Sequence, residues 1–320
     1  MADRAMAWRR AAAATGVGVS AAVFWAPDPD ASLRSLLALH DLGHVAAFGL
    51  ATVLFAFALS ARSRPTPRAR IGTIWLAAGA ALALGAGVEL AQAVTGHDGD
   101  PWDVVRDAGG ALFVAMVLTA RDSSPSVGTR AALAGSAILT LAACLYPMAA
   151  ALYDEARARA QFPVLASFET ASELSRFHFQ EGMGPRIVPM TDDEGRVNSG
   201  MQLRLPPGRY PGFELSYFPR DWREVRALRL LISNPGTAPV ELNVRIDDAA
   251  YDYRLDLADR YDRAFALSPG ANRIEIPLSE VAMAPRNRRF DLGRVQMLLV
   301  YAIDLKESRE IIVGPIVLLR

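Results

Sequence analysis

The order of hydrophobic and polar positions divides the chain into two halves. Up to about Leu152, long runs of Ala, Leu, Val and Gly are separated by short polar loops. After Gln161 the chain is charged, is interrupted by prolines, and alternates apolar with polar residues. Two domains with different solvent preferences are therefore expected, at residues 1–152 and 164–320, with a linker at 153–163.

The first half contains five runs that are long enough, or nearly so, to cross a bilayer. A hydrocarbon core about 30 Å thick requires roughly 20 apolar residues per helix. Several runs are rich in Ala and Gly, which favours an all-α membrane bundle in which backbones pack closely. The predicted transmembrane helices are Trp8–Trp25, His44–Ala61, Ile71–Val94, Asp103–Ala120 and Arg130–Leu152.

Arginines mark one side of these predicted spans. They precede the first span and fill the loops after the second and the fourth, whereas the other two loops contain only Arg34. The positive-inside rule then predicts an inner-membrane protein with a cytoplasmic N-terminus and a periplasmic, extracytoplasmic C-terminal half. The first run also has the features of a cleavable signal peptide, but Trp8 and Trp25 at its ends favour its retention.

Alternation with a period of two is typical of the second half. The segments GMQLRL, VELNVRID and NRIEIPL each place their apolar side chains on one face, as in a half-buried sheet. RALRLLIS, RVQMLLVYA and REIIVGPIVLL raise the expected number of strands to about eight to ten. We expect an all-β jelly-roll sandwich, with Trp222 as a core anchor.

Composition narrows the function classes. The chain is 52% hydrophobic and carries 34 basic and 34 acidic residues, so its formal net charge is zero. Balanced charge without a basic stripe argues against nucleic acid as a partner. The single cysteine, Cys144, excludes an intrachain disulfide, and no metal-binding, nucleophile-elbow or P-loop motif occurs. No metal site is indicated, any cofactor stays unknown, and no motif names a reaction.

Ionisable side chains are concentrated where three predicted spans end at one predicted depth. Within each span they are spaced i,i+3 or i,i+4, so each pair shares one helix face. The pairs are Asp41 with His44, Glu89 with Gln92, and Asp103 with Asp107. Because such groups cost about 2.5 to 3.5 kcal/mol each within a membrane, we expect them to face a bundle interior or water. The candidate catalytic residues are His44, Glu89, Gln92, Asp103 and Asp107.

Several kinds of chemistry suit this cluster. Its side chains could act as general acid and base, bind a cation, or relay protons. A plainer interpretation places the outermost carboxylates among lipid headgroups and makes Asp103 a helix N-cap. Glu89 and Asp107 lie more than a turn inside their predicted spans, where a carboxylate needs a partner. The residues alone leave these alternatives open.

Three segments, HDLGHVAAFGL, GVELAQAV and DPWDVVRDAGGALF, carry a resemblance to a known family. In order and spacing they resemble the signature segments of the VanZ-like family of bacterial membrane proteins, over about residues 35–120. The family's polar positions fall on Asp41, His44, Glu89, Gln92, Asp103 and Gly110. Asp107 stands where the family usually has Asn, and Leu42 and Val45 also depart from its pattern. The resemblance implies a role in the cell envelope and no settled mechanism.

The segment from Asp247 to Ala302 resembles the galactose-binding-like sandwiches among carbohydrate-binding modules. That resemblance implies recognition of sugar by aromatic rings that stack on pyranose faces and by Arg and Asp side chains that bridge hydroxyls. The candidate carbohydrate-binding residues are Asp247, Tyr251, Tyr253, Tyr261 and Arg263.

Together these features predict a membrane protein that binds, and in a stronger version modifies, an envelope glycan at the outer leaflet. The expected partners are membrane lipids and an envelope polysaccharide or glycolipid. Two alternatives stay open. One is a non-catalytic anchor that presents a carbohydrate- or protein-binding sandwich, and the other is a transport accessory that uses the polar cluster as a proton relay.

Overall fold

The computed structural model describes residues 2–24, 33–60, 66–95, 101–122, 125–251 and 257–320. The chain divides into two compact units, Met1–Ala151 and Leu152–Arg320. The first unit is helical, and the second consists mainly of β-strands.

The described residues contain five long helices before the first strand. They are α1 (Ala2–Phe24), α2 (Arg34–Leu59), α3 (Pro67–Thr95), α4 (Pro101–Arg121) and α5 (Val127–Gln161). Within the described ranges, three helical stretches are long and apolar enough to cross a membrane: Arg34–Leu59, Pro67–Gln92 and Val127–Gln161.

The prediction of five transmembrane helices is therefore supported for three of them. Helix α4 falls short because Asp103, Arg106 and Asp107 lie in its first two turns. Helix α1 contains Arg9 and Arg10 and is otherwise rich in small, weakly apolar residues. Charge on these two helices, rather than length, sets them apart from the other three.

Two helix boundaries differ from those expected from hydropathy. Helix α2 begins at Arg34 rather than at His44, so His44 lies well inside the helix. Helix α5 runs past Leu152 to Gln161, so most of the expected linker is helical. Hydropathy locates the apolar part of a helix, whereas the hydrogen-bonded backbone continues into polar sequence.

Small residues allow the helices of the first unit to approach closely. A Cβ on Gly110 of α4 would collide with the carbonyl oxygen of Val45 on α2, and one on Gly49 would lie 3.2 Å from a Val114 methyl. The Ala- and Gly-rich composition therefore forms a bundle interior, as predicted. The buried cluster consists of Ala47, Phe48, Ala51, Phe55, Ala56, Ala77, Ala78, Ala81, Ala111 and Ala115.

The second unit forms eleven strands within the described residues. They are β1 (Val164–Ala166), β2 (Phe177–Phe179), β3 (Arg186–Thr191), β4 (Val197–Leu205), β5 (Gly212–Leu215), β6 (Ala227–Asn234), β7 (Val240–Asp248), β8 (Tyr261–Leu267), β9 (Gly270–Pro277), β10 (Val295–Tyr301) and β11 (Arg309–Leu319). A short helix, α6 (Leu278–Met283), follows β9.

These strands pair into two antiparallel sheets. Sheet A has the order β3-β4-β11-β6-β9, with β1 also paired to β11, and sheet B has the order β2-β5-β10-β7-β8. Each of the six segments predicted from alternation or apolar runs contains a strand, which confirms the β-sandwich. The count exceeds eight to ten because β1, β2 and β5 are only three or four residues long, too short to show a period.

The sandwich core contains the inward faces of both sheets. Leu242, Val244 and Ile246 of β7 are fully buried, which confirms the predicted alternation. Trp222 is also fully buried, and its indole N–H donates to the carbonyl of Pro219 at 3.0 Å, so the prediction of a core anchor is confirmed.

A buried ion pair lies within the second unit, between the last turns of α5 and the residue that precedes β2. The guanidinium of Arg176 donates to both carboxylate oxygens of Asp154, at 2.8 and 3.0 Å, and to the carbonyl of Leu165 at 2.8 Å. Both charged side chains are essentially inaccessible to solvent. Such a pair is costly to break, because each partner is a buried charge that the other stabilises directly.

Candidate functional site

The helical unit brings three of the predicted polar residues together. The ring of His44 on α2 lies against two carboxylates of α4, with Nδ1 3.0 Å from Asp107 Oδ1 and Nε2 3.7 Å from Asp103 Oδ2. His44 and Asp107 are only 7% and 2% exposed. Because Asp103 and Asp107 are one turn apart, α4 presents both carboxylates on one face to the same imidazole.

Arg106 completes this network, although it was not among the predicted catalytic residues. Its guanidinium forms ion pairs with Asp103, one turn earlier on α4, and with Asp41 on α2, 2.8 Å away. The i,i+3 spacing of Asp103 and Arg106 was the sequence signal that could have identified it. We call Asp41, His44, Asp103, Arg106 and Asp107 the polar network.

Glu89 and Gln92 form a separate pair on α3. With its amide nitrogen turned toward Glu89, Gln92 donates to both carboxylate oxygens, at 3.0 and 3.1 Å. Glu89 lies one turn after Gly85, where a Cβ would collide with Asp107. The pair is therefore on the face of α3 that meets α4, one turn further along the helix.

The polar network has the geometry of an acid–base pair. An Asp that holds one nitrogen of a histidine fixes the ring and its tautomer, and the other nitrogen is then the one that can exchange a proton. Among the described residues, no group of three or more His, Cys, Asp or Glu side chains is arranged to hold a metal ion. The hydrogen-bonded pair of His44 and Asp107 can exchange a proton or hydrogen-bond to a polar ligand.

A second polar site lies on the outer face of sheet B. Side chains alternate along a strand, so the inward-facing Leu242, Val244 and Ile246 place Asn243 and Arg245 on the opposite face. Strand pairing sets Arg245 between Leu299 of β10 and Asp262 of β8. A cleft of about 690 Å³ lies over this row, and we call it the sheet B cleft. It is lined by Gln180, Tyr210, Asn243, Arg245, Arg260, Asp262, Leu299, Tyr301 and Ile303.

Two tyrosines form one wall of the sheet B cleft. Tyr301 pairs with Gly212, where a Cβ would lie 2.5 Å from that of Tyr301, so a glycine is needed beside this ring. The ring of Tyr210, which is 50% exposed, meets Tyr301 edge to face, with centroids 6.0 Å apart. An exposed ring on a fixed, mostly buried one is suited to stacking against an apolar face of a ligand.

Charged side chains in the cleft are held in pairs. Arg245 donates to the buried carboxylate of Asp247 at 2.9 and 2.5 Å, and Arg260 donates to Asp262 at 2.7 Å. Burial and the hydrogen bond to Asp262 raise the pKa of the Tyr301 hydroxyl to about 12. The amide nitrogen of Asn243 has no hydrogen-bond partner within the described part of the chain. The cleft thus offers fixed donors and acceptors around an aromatic wall.

Two of the predicted carbohydrate-binding residues lie beside this cleft. Asp247 is paired with Arg245, and burial raises the pKa of its carboxyl group. The guanidinium of Arg245 lies over the ring of Tyr251, 5.0 Å from the ring centroid. The hydroxyl of Tyr251 accepts a hydrogen bond from Arg260 at 3.2 Å. Both therefore support the arginines of the cleft.

The other three predicted residues do not line the cleft. Tyr261 is 5% exposed and belongs to the sandwich core, so its ring presents no face to a sugar. Arg263 is two residues further along β8 and so shares the side of the strand that Tyr261 occupies, and it pairs with Glu280 at 2.9 Å. Tyr253 lies outside the described residues.

Comparison of the chain with known proteins finds similarity among solved structures and none among family models or curated proteins. No protein-family model matches it, and no curated protein matches it, so the VanZ-like family stays a resemblance of three segments. Solved structures are similar to about half of the chain. One is an exo-β-agarase, with 16% identity over 48% of this chain and 24% of that chain and a TM-score of 0.40. The chain therefore spans about a quarter of the agarase's length.

Two further structures give the same level of similarity. A family 11 carbohydrate-binding module from Clostridium thermocellum, in complex with a β-1,3-1,4-mixed-linked tetrasaccharide, is 17% identical over 49% of this chain and 94% of that chain, with a TM-score of 0.37. Another agarase is 10% identical over 49% of this chain and 26% of that chain, with a TM-score of 0.36. At these scores the similarities do not assign a function to the chain.

Proposed function

We propose that this chain is a VanZ-like membrane protein of the bacterial cell envelope that binds an envelope glycan in the sheet B cleft. One observation carries the proposal: the exposed ring of Tyr210 stands on Tyr301 beside the paired side chains of Arg245 and Asp262. Sugars present apolar ring faces flanked by hydroxyls, and this combination of ring and planar polar groups complements both.

Rigidity favours this function over non-specific contact. Five of the nine lining residues come from paired strands: Asn243, Arg245, Asp262, Leu299 and Tyr301. Arg245, Arg260 and Asp262 are each held by an ion pair or hydrogen bond. Side chains that are already ordered lose little conformational entropy when a ligand binds. The cleft is also within the range of about 300–1,000 Å³ that is usual for small-molecule sites.

The helical unit would hold the sandwich at the membrane. Three of its helices are long and apolar enough to span a bilayer. The arginine distribution favours an inner-membrane orientation with a cytoplasmic N-terminus, which exports the sandwich to the glycan side. This topology is part of the proposal, and accessibility of introduced cysteines to an impermeant thiol reagent would test it.

The polar network supports a second function, modification of the bound glycan or glycolipid. The hydrogen bond of His44 to the buried Asp107 is the observation that favours it. His44→Gln should then abolish any glycolipid turnover by the full-length chain, whereas His40→Gln, one turn earlier on α2, should retain it. Equal turnover in both variants would leave binding as the function.

A glycan array probed with the full-length chain in nanodiscs tests the binding proposal. We expect saturable binding to a restricted set of polysaccharides, lost in Tyr210→Ala and retained in Met283→Ala. Met283 is a matched control because it is also exposed, at 66%, and does not line the cleft. If the wild-type chain binds no saccharide, the sandwich is better described as a scaffold for a protein partner.

A further inference from the structure

The helical unit contains a cavity that the glycan site does not use. It lies between α2, α4 and α5, has a volume of about 680 Å³, and we call it the bundle cavity. Most of its wall is apolar, with Val45 from α2, Leu112 from α4 and Ala143 from α5. Its polar lining includes Asp41 and Arg106, the outermost pair of the polar network.

The dimensions of the bundle cavity suit one hydrocarbon chain. Its lining on α4 runs from Trp102 to Leu112, which corresponds to about 15 Å along a helix, or half of a bilayer core about 30 Å thick. Small side chains keep the space open, because Ala38, Ala108 and Gly109 line it where larger residues would fill it. A cavity one leaflet deep with a polar end matches an amphiphile rather than a soluble compound.

The charge at the polar end selects among amphiphiles. Asp41 and Arg106 line this end of the cavity, and they are joined to three groups that do not line it, Asp103, Asp107 and His44. The polar network therefore contains three carboxylates against one guanidinium and one imidazole. A phosphate brought to this end would face an excess of like charge. Sugar hydroxyls, in contrast, can donate to the carboxylate of Asp41 and accept from the guanidinium of Arg106.

We propose that the bundle cavity binds one hydrocarbon chain of a neutral glycolipid, whose sugar contacts Asp41 and Arg106. This inference rests on the proposed envelope function and names the lipid class on which the helical unit acts. It assigns separate ligands to separate units: a lipid-linked sugar to the bundle and a soluble or polymeric glycan to the sandwich.

The chain carries its own reporter for this site. Cys144 is the only cysteine in the sequence, and it lines the bundle cavity on α5. A lipid chain that occupies the cavity should shield this thiol from N-ethylmaleimide. The full-length chain in phosphatidylcholine nanodiscs would be labelled alone, with a glucosyl diacylglycerol, or with phosphatidylglycerol, and the initial rates compared by mass spectrometry.

The expected result is selective protection of Cys144. Glucosyl diacylglycerol should slow labelling about threefold once it exceeds its Kd about twofold, whereas phosphatidylglycerol should leave the rate unchanged. Ala143→Phe fills the cavity from an exposed position on α5. In this variant Cys144 should be labelled at the same rate with and without glucosyl diacylglycerol. Ala142→Phe makes the same change at the adjacent exposed position, which does not line the cavity, and should preserve the protection.

Three results would overturn the proposal. They are no protection of Cys144 by the glycolipid, equal protection by phosphatidylglycerol, or equal protection by the glycolipid in Ala143→Phe and Ala142→Phe. Asp41→Asn gives a second measurement that does not alter the cavity volume, and it should weaken protection by the glycolipid alone. Failure of this proposal is distinct from failure of the glycan site. The array measures glycan binding that depends on Tyr210, whereas the thiol assay measures protection of Cys144 by a lipid. Either unit can therefore lose its assignment while the other keeps it.

Discussion

The hydroxyl of Tyr301 on β10 donates to the carboxylate of Asp262 on β8, whose two oxygens lie 3.0 and 2.9 Å away, across the intervening strand β7. This contact fixes the tyrosine that supports the exposed ring of Tyr210 and orients an acceptor of the sheet B cleft. One hydrogen bond therefore positions both the aromatic and the acidic part of the candidate glycan site.

Removal of this hydroxyl should weaken glycan binding without unfolding the sandwich. Tyr301→Phe keeps the ring but removes one of the two groups that orient Asp262, the other being Arg260. A hydrogen bond to a charged group contributes about 1.5 kcal/mol, and loss of that amount from binding would raise Kd roughly tenfold. Isothermal titration calorimetry with an oligosaccharide selected on the array would measure Kd for wild type and variant. Tyr217→Phe, at a buried tyrosine that does not line the cleft, should change Kd less than about twofold. A wild-type Kd in Tyr301→Phe would exclude this role.

The turn between β3 and β4 should make the sandwich sensitive to acid. Burial opposes ionisation of Asp192, but hydrogen bonds from the backbone and side chain of Arg196 outweigh it and lower the pKa of this carboxyl group to about 2. A lowered pKa contributes stability above about pH 4, the range of an unfolded Asp, and that stability is lost as pH falls toward 2.

Asp192→Asn should therefore reduce stability at neutral pH and flatten its loss between about pH 4 and pH 2. Scanning calorimetry across this pH range would measure both effects. Asp304→Asn, at an exposed aspartate, should leave the pH profile unchanged. If stability falls equally between pH 4 and pH 2 in wild type and in Asp192→Asn, Asp192 is not the source of the acid sensitivity.

The pair formed by Asp154 and Arg176 should be needed for the stability of the sandwich unit. Asp154→Asn removes the nearer of two carboxylates that face the buried guanidinium of Arg176, since Glu173 is 3.9 Å away. Removal of one partner of a buried ion pair costs about 3–5 kcal/mol. For a unit of this size, the corresponding fall in Tm is about 6–20 °C. The double variant Asp154→Asn/Arg176→Met removes both charges of this pair and should recover most of that loss, because the nearby Glu173 still accepts from the backbone N–H groups of Ser167 and Phe168. A double variant no more stable than Asp154→Asn would contradict this account of the pair.

The crossing of α2 and α4 should tolerate no side chain at Gly110. Gly110→Ala forces apart two backbones that are in contact at Val45 and should destabilise the helical unit by about 1–3 kcal/mol. Gly87→Ala is the matched control, since no atom lies within 4 Å of its added Cβ, and it should be neutral or stabilising by up to about 1 kcal/mol. Thermal unfolding in detergent would compare them, and equal midpoints would show that the contact is unimportant.

Periodicity predicted the elements of the fold better than their ends. The outward positions of β7 follow directly from its inward ones, so Arg245 and Asn243 could have been placed on one face from the sequence. Tyr210 and Tyr301 could not have been placed beside Arg245 and Asn243 from the sequence. They come from segments about 90 residues apart, which meet through the β5–β10 pairing and the backbone hydrogen bonds next to it. The sequence singled out the aromatic ring of Tyr261 but did not show that this ring is buried in the sandwich.

The polar network was partly predictable for a similar reason. Helical spacing places Asp103 and Asp107 on one face, and an ionisable face within a bundle requires a partner. That this partner is His44 depends on the close approach permitted by Gly110, which no single-helix pattern reveals. Glu89 instead pairs with Gln92, within its own helix.

The most direct test of glycan binding in the sheet B cleft compares one substitution at two positions in the same sheet. Arg245 lines the cleft, whereas Arg263 lies on the opposite side of β8 and pairs with Glu280. Titration of the full-length chain with the array-selected oligosaccharide should give a Kd raised about tenfold or more in Arg245→Gln and changed less than about twofold in Arg263→Gln. Calorimetric unfolding of each variant would confirm that the sandwich is intact. A folded Arg245→Gln variant that binds like wild type, or a larger loss in Arg263→Gln, would place the glycan elsewhere and contradict the proposal.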